Sequence, residues 1–177
     1  MVDKKLILMR EILDGELIKE KEELKHQMIR QLSKDEKIPY DLLLLADETI
    51  EAIAKYIFDS DIFVLEQENK IIAVYVLQAI NRKEIEIKNI AVVTDYQGKG
   101  IGKLLLSDAV NRAKERGFKT IIVGTGDAAT IQLHLYEREG FEVFDIKKNF
   151  FIENYPEPVY ENGLQLKDMI MLKKELE

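Results

Sequence analysis

The sequence predicts an α/β fold in which a central mixed sheet is flanked by helices. Three apolar, β-branched runs follow one another at short separations, which is typical of an antiparallel meander. The third run passes through a glycine-rich turn directly into an amphipathic helical pattern, and another β-branched run follows that helix. A strand, a helix and a strand in this order form a parallel βαβ unit, so the sheet should contain both strand orientations.

Composition limits the classes of function. The chain has 177 residues, enough for one domain with a substantial core, and we expect residues 1–177 to form a single domain. Its net charge of -7 argues against a nucleic-acid partner. With no cysteine and two histidines far apart in sequence, we expect no disulfide, no metal and no cysteine acyl-enzyme. No signal peptide or membrane-length apolar run is visible, so we expect a cytoplasmic protein without a membrane partner.

The N-terminal third carries three candidate elements and one ambiguous run. Residues 6–9 predict a short first strand, and residues 16–32 are highly charged with a thin apolar stripe that fits a helix. The leucine run at residues 41–46 is compatible with a buried turn, a short helix or a surface that binds a partner. Asp47 is a candidate N-cap for a helix over residues 50–57.

Regular patterns continue through the rest of the chain. The second of the three β-branched runs is apolar enough for burial on both faces, and the helix after the glycines should end at Gly117. The predicted elements are strands at 61–67, 70–79 and 84–93, the helix from 101, a strand at 119–123, a loop at 124–127, a helix at 130–139, a strand at 141–146, an aromatic and proline-rich loop at 149–163, and a last strand at 166–172.

The turn before the helix contains glycines at three alternate positions, Gly98, Gly100 and Gly102. Glycine lets the backbone approach a bound phosphate closely, and the unpaired N–H groups at a helix N-terminus attract anions. Lys99 and Lys103 add positive charge beside these groups. The turn is therefore predicted to bind an anion.

Two common phosphate motifs do not fit this turn. A Walker loop requires Ser or Thr after Gly-Lys, but Leu104 follows Gly102 and Lys103 here. A Rossmann fingerprint requires G-x-G-x-x-G, which differs from the alternate spacing. The residues instead fit the pattern Q/R-x-x-G-x-G/A, with Gln97 at its start and Gly100 and Gly102 at its glycine positions.

This pattern resembles the pyrophosphate-binding loop of the GNAT superfamily, the acyl-CoA-dependent N-acyltransferases. The order of the predicted elements is similar to the whole GNAT fold, and residues 135–141 look like the family's L-Y-x-x-x-G-F helix end. Many members carry an asparagine and an alanine at the positions of Ala129 and Gln132. This departure leaves Asp127 or Thr130 as the candidate contacts for pantetheine.

The resemblance implies an N-acetyltransferase that moves an acetyl group from acetyl-CoA to a primary amine, on a small molecule or a peptide. It also implies direct transfer in a ternary complex. A regulatory module that binds acyl-CoA without transfer is the alternative. The residues implied to contact coenzyme A, the co-substrate, are Ile90, Ala91, Val92, Gln97, Gly98, Lys99, Gly100, Ile101, Gly102, Lys103, Asp127, Thr130 and Tyr136.

Glu86 is the candidate general base, because family members with a catalytic glutamate carry it at the matching position, four residues before Ile90. The two-residue period of a strand puts Glu86 on one face with Ile90 and Val92, unless a bulge interrupts the strand. The alternative is a charged residue near a strand end, with ordered water as the base. The backbone N–H of Ile90 or Val92 is the implied donor to the oxyanion.

Tyr136 is the implied general acid, with its hydroxyl donating a proton to the departing sulfur. A core tyrosine whose hydroxyl has another hydrogen-bond partner is the alternative. His134 lies two residues earlier on a different helix face, and we interpret it as a structural or surface residue.

Residues 150–160 are predicted to form one wall of the acceptor pocket, with Tyr155 and Tyr160 binding the substrate. Three nearby acidic residues, Glu153, Glu157 and Glu161, should attract a protonated amine. The alternative is that these aromatic residues pack on the domain's own core or on a second subunit, so a homo-oligomer is possible.

Overall fold

The computed structural model describes residues 29–177, and these residues form a seven-stranded mixed sheet, five helices and a two-stranded hairpin. The strands are β1 (Ile29–Gln31), β2 (Asp61–Gln67), β3 (Lys70–Ala79), β4 (Glu84–Val92), β5 (Thr120–Gly126), β6 (Glu142–Lys147), β7 (Tyr160–Glu161), β8 (Leu164–Gln165) and β9 (Met169–Glu175). The helices are α1 (Tyr40–Leu43), α2 (Ile50–Ala54), α3 (Ile101–Glu115), α4 (Thr130–Arg138) and α5 (Phe150–Asn154).

The order of strands in the large sheet is β1-β2-β3-β4-β5-β9-β6, and β7 pairs with β8 in the hairpin. β4 and β5 are parallel, whereas every other pair of neighbours in the large sheet is antiparallel. The predicted meander is therefore β2-β3-β4, and the predicted βαβ unit is β4-α3-β5. These features confirm the mixed α/β sheet.

Alternating side chains of β3 fill two cores on opposite faces of the sheet, as the apolar run predicts. Tyr75 and Leu77 lie in the cluster beneath α3 and α4, whereas Val74 and Val76 lie in the cluster beneath α1 and α2. A third, smaller cluster lies beneath α5 around Phe151. We call the side of the sheet with α3 and α4 the α3 face, and the side with α1 and α2 the α2 face.

Several predicted boundaries agree with the structure. β2 and β3 have the predicted limits, and β4 ends one residue earlier than expected, at Val92. α3 starts directly after the glycine turn and ends two residues before Gly117, whose φ of 82° is the left-handed conformation expected after a helix. α4 ends at Arg138, before Gly140 at φ 83°.

Other predictions were wrong where tertiary contacts decide the structure. Residues 124–126 are strand rather than loop, because they pair with β9 from Gly124↔Met171 to Gly126↔Met169. The last strand starts at Met169 rather than 166. Ile29–Gln31, predicted as the end of a helix, is an edge strand paired with β2. The strand predicted at residues 6–9 and most of the helix predicted at 16–32 lie outside the described residues.

The leucine run is a short helix, one of the three predicted alternatives. Leu42 and Leu43 of α1 are buried in the core on the α2 face of the sheet, so these two side chains are not available to bind a partner. Asp47 does not cap the next helix. That role belongs to Thr49, whose hydroxyl accepts the Ala52 N–H at 3.1 Å.

Candidate active site

β4 and β5 separate part of the way along their length. They pair from Glu84↔Thr120 to Ile87↔Val123, and beyond that point the paired neighbour of β5 among the described residues is β9. The second half of β4 therefore has a partner on its β3 side and a gap on its β5 side. This gap lies at the C-terminal ends of two parallel strands, where α/β proteins commonly bind ligands.

The backbone groups of Ile90 and Val92 face this gap. The Val93 N–H donates to the Ile72 carbonyl on β3, so by the alternation of an antiparallel pair the Ile90 and Val92 N–H groups point away from β3. The Val92 carbonyl points the same way, because it accepts the Gln97 side-chain amide at 2.9 Å. Two backbone donors are thus directed toward the gap, as the resemblance implies for an oxyanion site.

The glycine turn at the start of α3 has the backbone that an anion site needs. Gly98 and Gly100 have φ values of 71° and 82°, in the left-handed region that disfavours other residues. The first helical hydrogen bond runs from Leu104 N–H to Gly100 carbonyl. Within the described part of the chain, the N–H groups of Ile101, Gly102 and Lys103 have no acceptor, as expected for the first turn of a helix.

Side chains around this turn fix its shape and leave cationic groups near it. Lys99 donates to the Asp95 carbonyl at 2.9 Å, and its Nζ lies 5.2 Å from the centroid of the Tyr96 ring. Lys103 forms an ion pair with Glu139 at 2.9 Å while remaining largely exposed. Open space surrounds the Cα atoms of Gly98 and Gly100. The turn therefore fits a pyrophosphate group.

A bulge in β4 changes the face on which Glu86 lies. Asn89 pairs with Val76, and Ile87 pairs with Leu77, so Lys88 is an extra residue on β4. As a result Ile87 and Ile90 both pack against the cluster beneath α3, although they are three residues apart. The prediction that Glu86 shares a face with Ile90 and Val92 is wrong. Glu86 instead lies on the α2 face.

On the α2 face, Glu86 lines a cleft of about 280 Å³. The cleft lies beside the gap, because Ile87 of β4 and Gly124 of β5 also line it. The Glu86 side chain is 15% exposed, and its carboxylate accepts a hydrogen bond from Lys88 Nζ at 3.1 Å. Lys88 Nζ in turn lies 5.7 Å from the centroid of the Tyr56 ring.

A buried polar cluster supports the wall of the cleft beside Glu86. One carboxylate oxygen of Asp47 accepts the Tyr56 hydroxyl at 2.5 Å and the Asn89 amide at 3.0 Å. The same amide donates to the Leu43 carbonyl at 3.0 Å. Burial raises the pKa of Asp47, although both of these hydrogen bonds favour its charged form. The cluster thus holds a partly desolvated carboxylate at the cleft.

The cluster was not predicted, because its members are far apart in sequence. Asp47 precedes a helical pattern, which indicates a cap, and nothing in the local sequence distinguishes Tyr56 or Asn89. Asn89 is 3% exposed, and its Oδ1 is a buried side-chain acceptor without a hydrogen-bond partner in the described residues. A buried asparagine next to a bulge would have indicated the cluster, but the bulge cannot be recognised from the sequence.

Tyr136 lies on the opposite face of the sheet from Glu86. Its ring is buried beneath α3 and α4 and packs against Phe141, with the ring centroids 6.0 Å apart. The pKa of the Tyr136 hydroxyl is raised, mainly by burial and to a smaller extent by the negative charge of Glu161. No hydrogen bond within residues 29–177 involves this hydroxyl, so the alternative of a core tyrosine with a bonded hydroxyl is not supported.

Only part of the predicted acceptor wall reaches the cleft. Tyr155 and Phe150 line the cleft. Burial, with smaller contributions from the charges of Asp47 and Glu48, raises the pKa of Tyr155 to about 12. Tyr160 is on β7, pairs with Gln165 and is 63% exposed, away from the cleft lining, so its predicted contact is not supported.

The predicted acidic wall is likewise wrong as a description of this cleft. Its lining includes lysines, whereas the three predicted glutamates, Glu153, Glu157 and Glu161, lie elsewhere. Of the two predicted pantetheine contacts, Asp127 accepts the Lys167 N–H at 3.1 Å, and Thr130 is the exposed first residue of α4. His134 is exposed, with Nδ1 2.7 Å from the Thr130 carbonyl, as expected for a surface residue. His26 lies outside the described residues.

Residues 29–177 lack two kinds of feature. In that range the structure contains no group of three or more histidine, aspartate or glutamate residues placed to hold a metal ion. Nor does any helix there have the length and apolar character needed to cross a membrane.

Comparison with known proteins identifies the family. A family model for "Acetyltransferase (GNAT) family" matches residues 26–141. The uncharacterized N-acetyltransferase YvbK of Bacillus subtilis (strain 168) is 39% identical over 137 residues, covering 77% of this chain and 88% of that protein.

Solved structures agree in fold. A GNAT family acetyltransferase from Elizabethkingia anophelis with acetyl-CoA bound is 45% identical, with a TM-score of 0.82 and coverage of 84% of this chain and 97% of that chain. An IAA acetyltransferase from Bacillus cereus ATCC 14579 is 44% identical, with a TM-score of 0.80 and coverage of 84% and 98%. This chain therefore belongs to the GNAT acetyltransferase family, and it is an N-acetyltransferase that uses acetyl-CoA as its co-substrate.

Proposed function

We propose that this enzyme transfers the acetyl group directly to a primary amine while both substrates are bound. The observation that carries the proposal is the gap between β4 and β5 after Ile87 and Val123. The glycine turn leads into α3 on one face of the sheet, and the cleft lies against α2 on the other. Two substrates held on opposite faces can meet through the gap, which favours a ternary complex over a covalent enzyme intermediate.

On the α3 face, the turn from Gln97 to Lys103 binds the pyrophosphate of coenzyme A. Its unbonded N–H groups and the positive end of the helix dipole favour a doubly charged anion. Gly98 and Gly100 keep the backbone accessible, and Lys99 and Lys103 supply charge at the rim. Asp127 and Thr130 precede or begin α4 and are the candidates for contacts with pantetheine.

On the α2 face, Glu86 accepts a proton from the bound ammonium. An alkyl ammonium has a pKa of about 10.4, so it must lose a proton before its nitrogen can attack a thioester. Glu86 is largely buried at the cleft and is oriented by Lys88. Tyr155 forms part of the wall against which the acceptor packs.

Within the gap, the N–H of Ile90 or Val92 donates to the carbonyl oxygen as negative charge develops on it. Such preorganised donors commonly supply the largest single contribution to acyl transfer. Tyr136, on the α3 face, donates its proton to the departing sulfur. The position of Glu86 on the α2 face supports this division, because base and acid then approach the reacting carbon from opposite sides of the sheet.

Two tyrosine variants test the location of the acceptor. Tyr155→Ala should raise KM for the amine and leave KM for acetyl-CoA unchanged, because Tyr155 lines the cleft and not the glycine turn. Tyr160→Ala is the matched control, since Tyr160 is exposed on the hairpin. Amine kinetics that change for Tyr160→Ala but not for Tyr155→Ala would assign the acceptor to another surface.

A homo-oligomer and a cytoplasmic location are also part of the proposal. The edge strand β6 exposes three apolar side chains, Val143, Phe144 and Ile146, each at 45–46%. Two antiparallel copies of β6 about a twofold axis would bury these apolar side chains against each other. Sedimentation of Ile146→Lys tests this contact. Fractionation of cells tests the cytoplasmic location, since the reaction requires a supply of acetyl-CoA in that compartment.

A further inference from the structure

The cleft carries more positive than negative charge. Its charged lining residues are Asp47, Glu86, Lys55, Lys88 and Lys147. Glu86 and Lys88 form an ion pair at 3.1 Å and largely neutralise each other. Within residues 29–177, the Nζ atoms of Lys55 and Lys147 form no ion pair and no hydrogen bond. This leaves two unpaired cations and one carboxylate, that of Asp47.

We propose that the acceptor carries an anionic group, such as a carboxylate, in addition to its amine, and that Lys55 and Lys147 bind this group. The inference rests on the proposed function and names its substrate class. An acceptor with amines alone would add positive charge to a cleft that already has an excess. An amine that also carries a carboxylate complements both charge types, with its ammonium toward Glu86 and Asp47 and its carboxylate toward the lysines.

Two elements that are distant in sequence each contribute one of these lysines. Lys55 follows the last residue of α2, and Lys147 ends β6. Lys147 Nζ lies 6.0 Å from the centroid of the Phe150 ring, so this cation lies beside the aromatic residues of the cleft wall, which include Tyr155. The charge is therefore part of the cleft and is not confined to one helix.

The volume of the cleft restricts the size of the acceptor. At about 280 Å³ it is slightly smaller than the roughly 300–1,000 Å³ of pockets that hold drug-sized ligands. Aromatic rings of Tyr56, Phe150 and Tyr155 supply apolar contact between the charged groups. A small amino acid-like molecule matches this combination, whereas a polyamine or an aminoglycoside does not.

The test compares each amino acid with the amine left by its decarboxylation, because the two differ only in the carboxylate. Suitable pairs are phenylalanine with phenethylamine, tyrosine with tyramine, and leucine with 3-methylbutylamine, with γ-aminobutyrate against propylamine for a more distant carboxylate. Release of the coenzyme A thiol gives kcat/KM for each. We expect the parent enzyme to prefer the carboxylate-bearing member of at least one pair.

Because the carboxylate also changes the basicity of the amine, the decisive quantity is how the preference changes in variants. Lys55→Gln/Lys147→Gln should reduce the preference roughly tenfold, since each exposed ion pair contributes a few-fold. Lys55→Glu/Lys147→Glu should move the preference toward the decarboxylated member. KM for acetyl-CoA should stay constant, and Lys34→Gln/Lys70→Gln, at exposed sites outside the cleft, should behave as the parent.

The outcomes separate this inference from the proposed function. If the parent prefers the decarboxylated amines, or if both double variants keep the parent's preference, the acceptor class is wrong while transfer to amines stands. If no member of either arm is acetylated, the proposed function fails and the inference fails with it.

Discussion

Glu86 combines a largely buried carboxylate with a cleft that a small acceptor can enter. Glu86→Gln should lower turnover by ~10²–10⁴, the usual effect of losing a general base, with the larger loss at acidic to neutral pH. Affinity for acetyl-CoA should not change. Glu84→Gln is a matched control on the same strand, because Glu84 bonds to Asn81 outside the cleft. A pH–rate profile of Glu86→Gln that matches the parent would assign proton removal to water.

Tyr136 tests the proposed general acid. Tyr136→Phe should reduce turnover with little loss of melting temperature, because the hydroxyl has no hydrogen-bond partner in the described residues. Tyr75→Phe is the contrasting control. The Tyr75 hydroxyl bonds to the buried Asp108 at 2.5 Å, so its removal should cost about 1–3 kcal/mol of stability without changing turnover per folded enzyme. The acid assignment fails if Tyr136→Phe melts early and keeps full activity.

Asp47 provides a prediction about pH and stability. Burial raises its pKa in the folded state, so the folded protein binds this proton more tightly than the unfolded chain does. Stability should therefore fall as the pH rises from the ordinary pKa of an aspartate through the raised pKa of Asp47. Asp47→Asn should raise the melting temperature more at pH ~8 than at pH ~4. An equal change at both pH values would mean that the hydrogen bonds from Tyr56 and Asn89 balance the effect of burial, and a larger loss at pH ~8 would mean that they outweigh it.

At the scale of single elements, the start of α3 depends on glycines in the left-handed conformation. Gly100→Val should weaken coenzyme A binding at least tenfold, since a side chain at φ 82° imposes roughly 1–2 kcal/mol or more of backbone strain on the turn. Gly117→Val is the control, because Gly117 has the same φ of 82° and open surroundings at the other end of the helix. Both variants should lose similar stability, measured by thermal unfolding. Equal binding of coenzyme A by the two variants would exclude the turn as the pyrophosphate site.

The elements that the sequence predicted well are those determined by local patterns. β2 and β3 were bounded by their β-branched runs, and α3 was bounded by glycines on both sides. β5 and β9 were misplaced because residues 124–126 are held in a strand by pairing with β9 and not by their own composition. Periodicity describes one element at a time, so it cannot report a pairing between segments that are distant in sequence.

The same limit separates the predicted and unpredicted parts of the active site. The glycine turn is continuous in sequence, and the resemblance identified it directly. The bulge at Lys88 places Glu86 on the other face, and the cleft brings together Asp47, Lys55 and Lys147 from separate segments of the chain. Three nearby glutamates in the sequence therefore suggested an acidic wall, whereas folding brings lysines to the cleft.

For the whole molecule, the division of the sheet into two faces organises the proposed reaction. One core supports α3, the glycine turn and Tyr136, and the other supports α2 and the Asp47 cluster beside Glu86. The two faces communicate where β4 and β5 separate. Substrate binding on each face should consequently be separable by mutation, while acetyl transfer requires both.

The most direct test of this account is to measure release of the coenzyme A thiol by purified enzyme with and without an amine, and to identify the product by mass spectrometry. We predict thiol release that depends on the amine, matched mole for mole by an acetylated amine, and abolished by Gly100→Val at limiting acetyl-CoA. Tight binding of acetyl-CoA with no amine-dependent thiol release, across amines with and without a carboxylate, would contradict direct transfer through the gap.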